Sequence, residues 1–264
     1  MELDIERIKA ETKKDLARNK IILLLLFTSG VLGFWIISSY APALSLEDKK
    51  IIYQVPANPK ILAMMSKVVQ KYAALNFYYV IFAISYLYIL LHSFSIPGPP
   101  LINILVGALF GFIPSFILVH ICSFIGAILC YVIFETIGKG IAIRMFPNAI
   151  VRVHKKVQDN KDNMLFYLLS LRVTPFIPKW MSNISSPIIG VPIKTYVIST
   201  VLGLMPHNVI HINAGIAINS MQDFGLTLNN ILCLAGLGLL SLVPTLIFKK
   251  KQEEKKEEKE KKQE

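Results

Sequence analysis

Apolar residues run through most of this chain in long stretches, and proline and glycine divide those stretches more often than charge does. Residues 1–20 are polar, with Leu3, Ile5, Ile8 and Leu16 as the apolar positions. That spacing predicts a helix with a solvated face, since it is too sparse for one lying on a membrane surface. The run from Ile21 to Tyr40 is ~20 residues, enough to cross a ~30 Å hydrocarbon core at 1.5 Å per residue. It predicts a first transmembrane helix over 21–40 that doubles as a signal anchor; the charged residues before it are unlike a cleavable leader. Residues 41–71 follow as a polar connection containing Pro42, Pro56 and Pro59.

From Tyr72 onward the breaks fall at corresponding places in two halves. One apolar arm, 72–96, ends at Pro97-Gly98-Pro99-Pro100, and the next, Leu101 to Phe110, reaches only ~15 Å as a helix. Gly111 and Pro114 close it ahead of a full-length span over 115–137. In the second half a short arm, Met164 to Leu171, meets Thr174-Pro175-Phe176-Ile177-Pro178. A short return reaches Gly190 and Pro192, and a full span follows over 196–218. Proline removes a backbone donor and obstructs the preceding turn. Broken backbone at membrane depth persists only inside protein or around a water-filled cavity. Paired broken segments in two halves therefore point to a transport site near the bilayer midplane. A last transmembrane helix lies within 221–248, and 249–264 is a solvated Lys/Glu-rich tail with no apolar residue to bury.

Composition agrees with a membrane chain. Of the 264 residues 54% are hydrophobic and 17% charged, too little polar surface for a soluble domain of this length. Lysine and arginine crowd residues 7–20 and 249–262, and although the net charge is +11 no basic stripe interleaved with aromatics exists outside the tails, so nucleic acid is not an expected partner. Basic segments beside spans set topology or touch anionic lipid. If both broken segments are re-entrant, the crossings are 21–40, 115–137, 196–218 and 226–248. Both tails then share one side with the basic loop 138–163 (Lys139, Arg144, Arg152, Lys155, Lys156, Lys161), which the positive-inside rule makes cytosolic. Loop 41–71 is then luminal; the competing topology has 72–96 crossing outright. Lys261 and Lys262, fourth and third from the end, resemble a dilysine retrieval signal of the endoplasmic reticulum, although a tail this rich in lysine supplies such a pair by composition alone. Cys122, Cys130 and Cys233 lie in apolar segments and read as small buried hydrophobes.

Candidate chemistry gathers around the second break. Arg172, Lys179, Thr174, Asn183 and Ser185 stand with Pro175, Pro178 and Pro187 inside otherwise apolar sequence. One role for the hydroxyls and amide is to cap backbone groups freed by the prolines. The other is a polar track for a lipid headgroup, with Arg172 donating to phosphate. Glu135 is the only carboxylate between Tyr72 and Ile137 and suits interfacial anchoring or pairing with a lysine better than a proton site. His207 and His211 share a helix face. Without further ligands they fit the lining of a polar cavity, with Asn208 and Asn213, better than a metal pair. The Asn183-Ile184-Ser185 sequon is predicted to lie at membrane depth. No nucleotide loop, Ser-His-Asp set or Cys-pair metal site is present, so neither an enzyme nor a cofactor is expected.

The run Arg172-x-Thr-Pro-Phe-x-Pro-x-Trp-x-x-Asn-Ile-x-Ser-Pro, with Val191-Pro192 beyond it, resembles the signature of the transmembrane protein 41 family, of the SNARE-associated Golgi protein superfamily. Ile96-Pro97-Gly98 resembles the family's first hairpin tip, Gly126, Ala127, Tyr131 and Gly138-Lys139 its next span, and Asn213-Ala214-Gly215 a later one. The similarity centres on 85–220 and defines a VTT/DedA-like domain over 72–220. It implies an all-α integral membrane protein, a multi-span bundle with two opposed re-entrant hairpins in an inverted repeat. It further implies ATP-independent phospholipid scrambling in the endoplasmic reticulum membrane, autophagosome formation, and cooperation with lipid-transfer and autophagy proteins. Where the bacterial branch carries two carboxylates and a second arginine, this chain has Pro99, Ala127 and Pro178, which removes the expected proton relay. The alternatives are an ion- or proton-coupled transporter, in which Glu135, His207 or His211 titrates, and a non-transporting membrane adaptor.

Overall fold

The computed structural model describes residues 5–53, 59–160, 163–173 and 179–224, which are helical with no strand among them. Two helices in this set are long and apolar enough to cross a membrane: Leu16–Ser39, and a continuous run Phe112–Met145. The first follows a short helix α1 (Ile5–Glu11) and is α2 (Leu16–Ser39); it contains no fully buried residue, and only one face, which includes Phe27, Phe34 and Ile37, is half-covered by the rest of the protein.

Helix α3 (Leu46–Ile52) starts at Ser45, whose hydroxyl accepts from the Asp48 N–H. It is clasped to α4 (Pro59–Leu75) by Lys71 Nζ, 3.0 Å from Asp48 Oδ2. Hydrogen bonds from the Lys71 ammonium and then Ser45 hold that carboxyl below its usual range. The chain bends by 107° at Asn76 between α4 and α5 (Phe77–Ser93). Three tyrosines spaced by seven, Tyr72, Tyr79 and Tyr86, donate to the carbonyls of Pro42, Ile37 and Gly30 at 3.0, 2.9 and 3.0 Å. A tyrosine hydroxyl among apolar groups needs an acceptor. The helical carbonyls of α2 offer a second lone pair, so α5 is fastened antiparallel to α2 without burying it.

Helix α5 ends near the middle of α2, where Phe94 meets Phe27 edge-on at 5.2 Å. The end is a Schellman turn: Ser95 adopts φ +55°, its N–H bonds His92 O, and the Ile96 N–H bonds Leu91 O at 2.8 Å. Pro97-Gly98 forms the tip. Helix α6 (Pro99–Phe110) then returns, with prolines in its first turn where no intrahelical donor is missed. Its last residue, Phe110, packs on Phe77, the first of α5, at 5.7 Å. The two short arms are therefore a hairpin whose ends meet. Gly111, at φ +73°, turns the chain into α7 (Phe112–Ile133).

The segment expected as loop 138–163 is largely helical. A π-helical turn, Phe134–Gly138, carries α7 directly into α8 (Lys139–Met145), and α9 (Pro147–Gln158) follows. Helix α9 buries Ala149, Ile150, Val153 and Val157 while exposing Arg152 and Lys155, an amphipathic pattern masked in sequence by its basic residues. Nor is α1 solvated all round: Ile8 packs on this core, and Arg144 reaches Thr12 Oγ1 at 2.9 Å and Lys9 O at 2.5 Å.

The second pair of arms is α10 (Met164–Val173) and α11 (Lys179–Ile188). Helix α11 closes like α5: Gly190 has φ +77° and the Val191 N–H bonds Ser186 O at 3.0 Å, so Pro187 sits harmlessly in the closing turn. Helix α12 (Ile193–Phe224) continues through Pro206 and outruns the expected 196–218. It packs against α6, α10 and α7. The α6–α12 contact is glycine-dependent: a Cβ on Gly107 would strike the Ile212 carbonyl, and one on Gly215 the carbonyl of Ile104. One core cluster joins α7 to α12 through residues such as Tyr131, Ile150, Leu168 and Tyr196. A second joins α5, α6, α7 and α12 through Tyr88, Val106, Val119 and Ile212.

Candidate functional site

The first hairpin tip and the facing ends of α10 and α11 line one cavity of about 540 Å³. The first hairpin brings Pro97, Gly98 and Pro99 to it, and α6 contributes Asn103. The second brings Arg172, at the end of α10, and Lys179, Trp180 and Asn183, at the start of α11. Helix α12 adds His207, Asn208 and His211, and α5 adds Tyr88 and His92.

Arg172 is the largest fully buried side chain, 2% exposed. Its Cβ is pressed toward Gly203 of α12, where any side chain would displace it. Its guanidinium carbon lies 5.0 Å from the Tyr196 ring centroid, and Nη1 donates to Asn183 Oδ1 at 3.0 Å. Nε and Nη2 find no hydrogen-bond acceptor among the described residues. A buried charged donor left without an acceptor costs more than the ~1–3 kcal/mol of a neutral one, so the site favours an anionic ligand on these two N–H groups. Lys179 adds a second cation, and among the described residues no carboxylate lines the cavity. Asn103 Nδ2 donates to Asn208 Oδ1 at 2.9 Å, joining α6 to α12 in the wall and leaving the other atoms of both amides unpartnered.

Of the residues singled out from sequence, Pro97, Gly98, Arg172, Asn183, His207 and His211 line this one cavity. Asn183 does not cap a helix end; its side chain serves Arg172. Ser185 and Pro187 are buried in α11 outside the lining. Asn213 turns its amide back to Val209 O at 2.8 Å and takes no part, although the sequence suggested it as a cavity residue beside Asn208. Glu135 is exposed on the π-helical turn, away from the cavity. Thr174, Pro175 and Pro178, with Lys261 and Lys262, fall outside the described residues. No group of three or more metal-ligating side chains occurs among the described residues. Sequence reasoning missed Asn103, the one polar side chain in its short apolar arm, and His92, three residues before the first Schellman glycine-like turn.

Comparison with known proteins gives the same grouping. The VTT domain matches residues 96–217, from the first hairpin tip into α12. The chain is 32% identical over 242 residues to the transmembrane protein 41 homolog of Caenorhabditis elegans, covering 91% of this chain and 98% of that protein. The chain belongs to the transmembrane protein 41 family. Within the family it is 31% identical over 251 residues to human transmembrane protein 41B, covering 86% of that protein. It is 37% identical over 211 residues to the Dictyostelium discoideum homolog, of which it spans 63%. No solved structure matches. The family's matched domain contains both hairpin tips and every cavity residue except Tyr88, His92 and Ser95.

Proposed function

We propose that this family member is an ATP-independent phospholipid scramblase of the endoplasmic reticulum membrane that supports lipid distribution and autophagosome formation, working with lipid-transfer proteins. Its two hairpins enter the bilayer from opposite faces as an inverted repeat, and their tips meet near the midplane around the cavity. The level of the first tip beside the middle of α2 supports that placement. The observation that carries the reading is Arg172, buried beside the first tip with two donors that find no acceptor, in a cavity lined by no carboxylate, among the described residues. A phosphate oxygen satisfies those donors, and Arg presents them in a planar fork that Lys lacks. Asn103, Asn208 and the histidines offer further polar contacts, so a headgroup passes the apolar core with part of its hydration replaced. Only a barrier is lowered and no gradient is built, so no energy source is required.

The test is leaflet exchange of a labelled phospholipid in liposomes carrying the purified protein. Loss of one charge-assisted hydrogen bond is worth ~1.5–3 kcal/mol, so Arg172→Ala is expected to slow exchange by roughly tenfold to a hundredfold. Arg172→Lys should restore it in part. A folded Arg172→Ala protein exchanging at the normal rate overturns the headgroup role. His207 and His211 in the lining are what favours the second reading, a proton-coupled transporter. That reading requires a pH gradient to drive net lipid movement, and it gains nothing from Glu135, which lies outside the cavity. A protein inert in liposomes would instead fit the adaptor.

A further inference from the structure

The tyrosine ladder fastens only one half of α2. It ends at the Phe27–Phe94 contact, and beyond it a groove of about 430 Å³ opens between α2 and the first hairpin tip. Leu23 and Leu24 form one wall, Phe94 and Ile96 the other, and Ile141 of α8 the floor. Among the described residues Lys20 is the only charged one in the lining. Ile96 also lines the central cavity, so the groove adjoins that cavity at this side chain.

We infer that this groove is a docking site for a single phospholipid waiting beside the central cavity. The inference rests on the scramblase reading. Lys20 lies seven residues before Phe27, ~10 Å along the helix axis, and its long stem lets the ammonium reach the interface where lipid phosphates sit. A phospholipid with its phosphate on Lys20 Nζ lays an acyl chain along Leu23, Leu24 and Ile141, and the chain ends level with the hairpin tip. The chemistry matches an amphiphile with one anionic end: a cation at one end of the groove, no carboxylate in it, and apolar walls elsewhere. From this position the headgroup passes Ile96 to enter the cavity of Arg172 and Lys179. The matched domain begins at residue 96, so the groove is built jointly by that domain and the preceding helix α2.

The experiment uses the full-length protein in phosphatidylcholine liposomes doped with phosphatidylglycerol bearing a diazirine on its acyl chain, with adducts mapped by mass spectrometry. Leu24 and Leu25 are equally exposed, at 61% each, but only Leu24 lines the groove. Adducts are expected several-fold more often on Leu23, Leu24 and Ile141 than on Leu25. Lys20→Gln should remove that excess and leave Leu25 labelling unchanged. Equal labelling of Leu24 and Leu25 overturns the inference, and so does equal competition by an uncharged diacylglycerol. Ile141→Phe, which fills the floor, and Lys20→Gln, on an exposed residue that cannot unfold the core, should each slow lipid exchange several-fold. If both exchange normally while Arg172→Ala is slow, the groove site falls and the cavity reading stands. If Arg172→Ala is normal too, the headgroup role of the cavity falls with it, whereas the scramblase reading falls only if the unaltered protein is inert in liposomes.

Discussion

At the scale of single residues, Arg172 shows how a buried charge is tolerated in an apolar setting. Its stem lies against Gly203, its plane faces Tyr196, and one of its nitrogens is satisfied by Asn183. Gly203 is therefore a test of whether this seat matters. In a helix interior Gly→Ala normally gains ~1 kcal/mol of propensity. Here the added Cβ would stand 2.7 Å from Arg172 Cβ, which is anchored to backbone and cannot swing away. Overpacking of that kind costs ~1–3 kcal/mol and wins. Gly203→Ala should lower thermal stability in detergent and slow lipid exchange, whereas an increase in stability would mean that α10 and α12 are free to separate. The basic residue inside an apolar run was legible in the sequence. Its partner was not, because the bond to Asn183 depends on α10 and α11 folding back on each other.

At the scale of elements, the seven-residue spacing of Tyr79 and Tyr86 fixes the register of α5 on α2, while Tyr72 ties α4 to the segment just beyond α2. Interhelical hydrogen bonds in membranes average ~0.6 kcal/mol each. Tyr79 and Tyr86 are ~10 Å apart along the helix, far enough for their effects to add. The double change Tyr79→Phe with Tyr86→Phe should thus cost roughly 1 kcal/mol, seen as a small drop in melting temperature and faster modification of a cysteine placed at Phe34, half-buried on the same helix. Unaltered melting and reactivity would show that packing alone holds α2. The short arms and the first proline tip could be read from the chain, since Pro and Gly act on their own neighbours. The 138–158 helices could not, because a polar helix is stabilised by burying one face on a core that sequence does not display. Asn213-Ala214-Gly215 carried a signal of a different kind from the one first assigned. Gly215 permits close contact with α6, and Asn213 only closes on its own helix.

At the scale of the whole molecule, the charge distribution bears on orientation. The proposed topology has both tails cytosolic with 41–71 luminal. Protease treatment of sealed microsomes should then remove tags at residues 1 and 264 together, and protection of one alone would require an odd number of crossings. Changing Lys261 and Lys262 to Ser should let the protein leak toward the Golgi if the pair is read as an address; an unchanged distribution would make it tail composition. What the sequence by itself determined is the class of molecule and its punctuation: apolar runs long enough to span, charge kept largely out of those runs, and a proline tip between two short arms. These follow from local chemistry, the cost of charge in hydrocarbon and the geometry of proline. Only the tertiary structure decided which polar groups share a cavity. Asn103, His92, Arg172 and His211 are far apart in the chain, and no local rule relates them. Their meeting depends on glycine-tight contact between α6 and α12 and on α10 packing against α12, a matter of packing between distant segments.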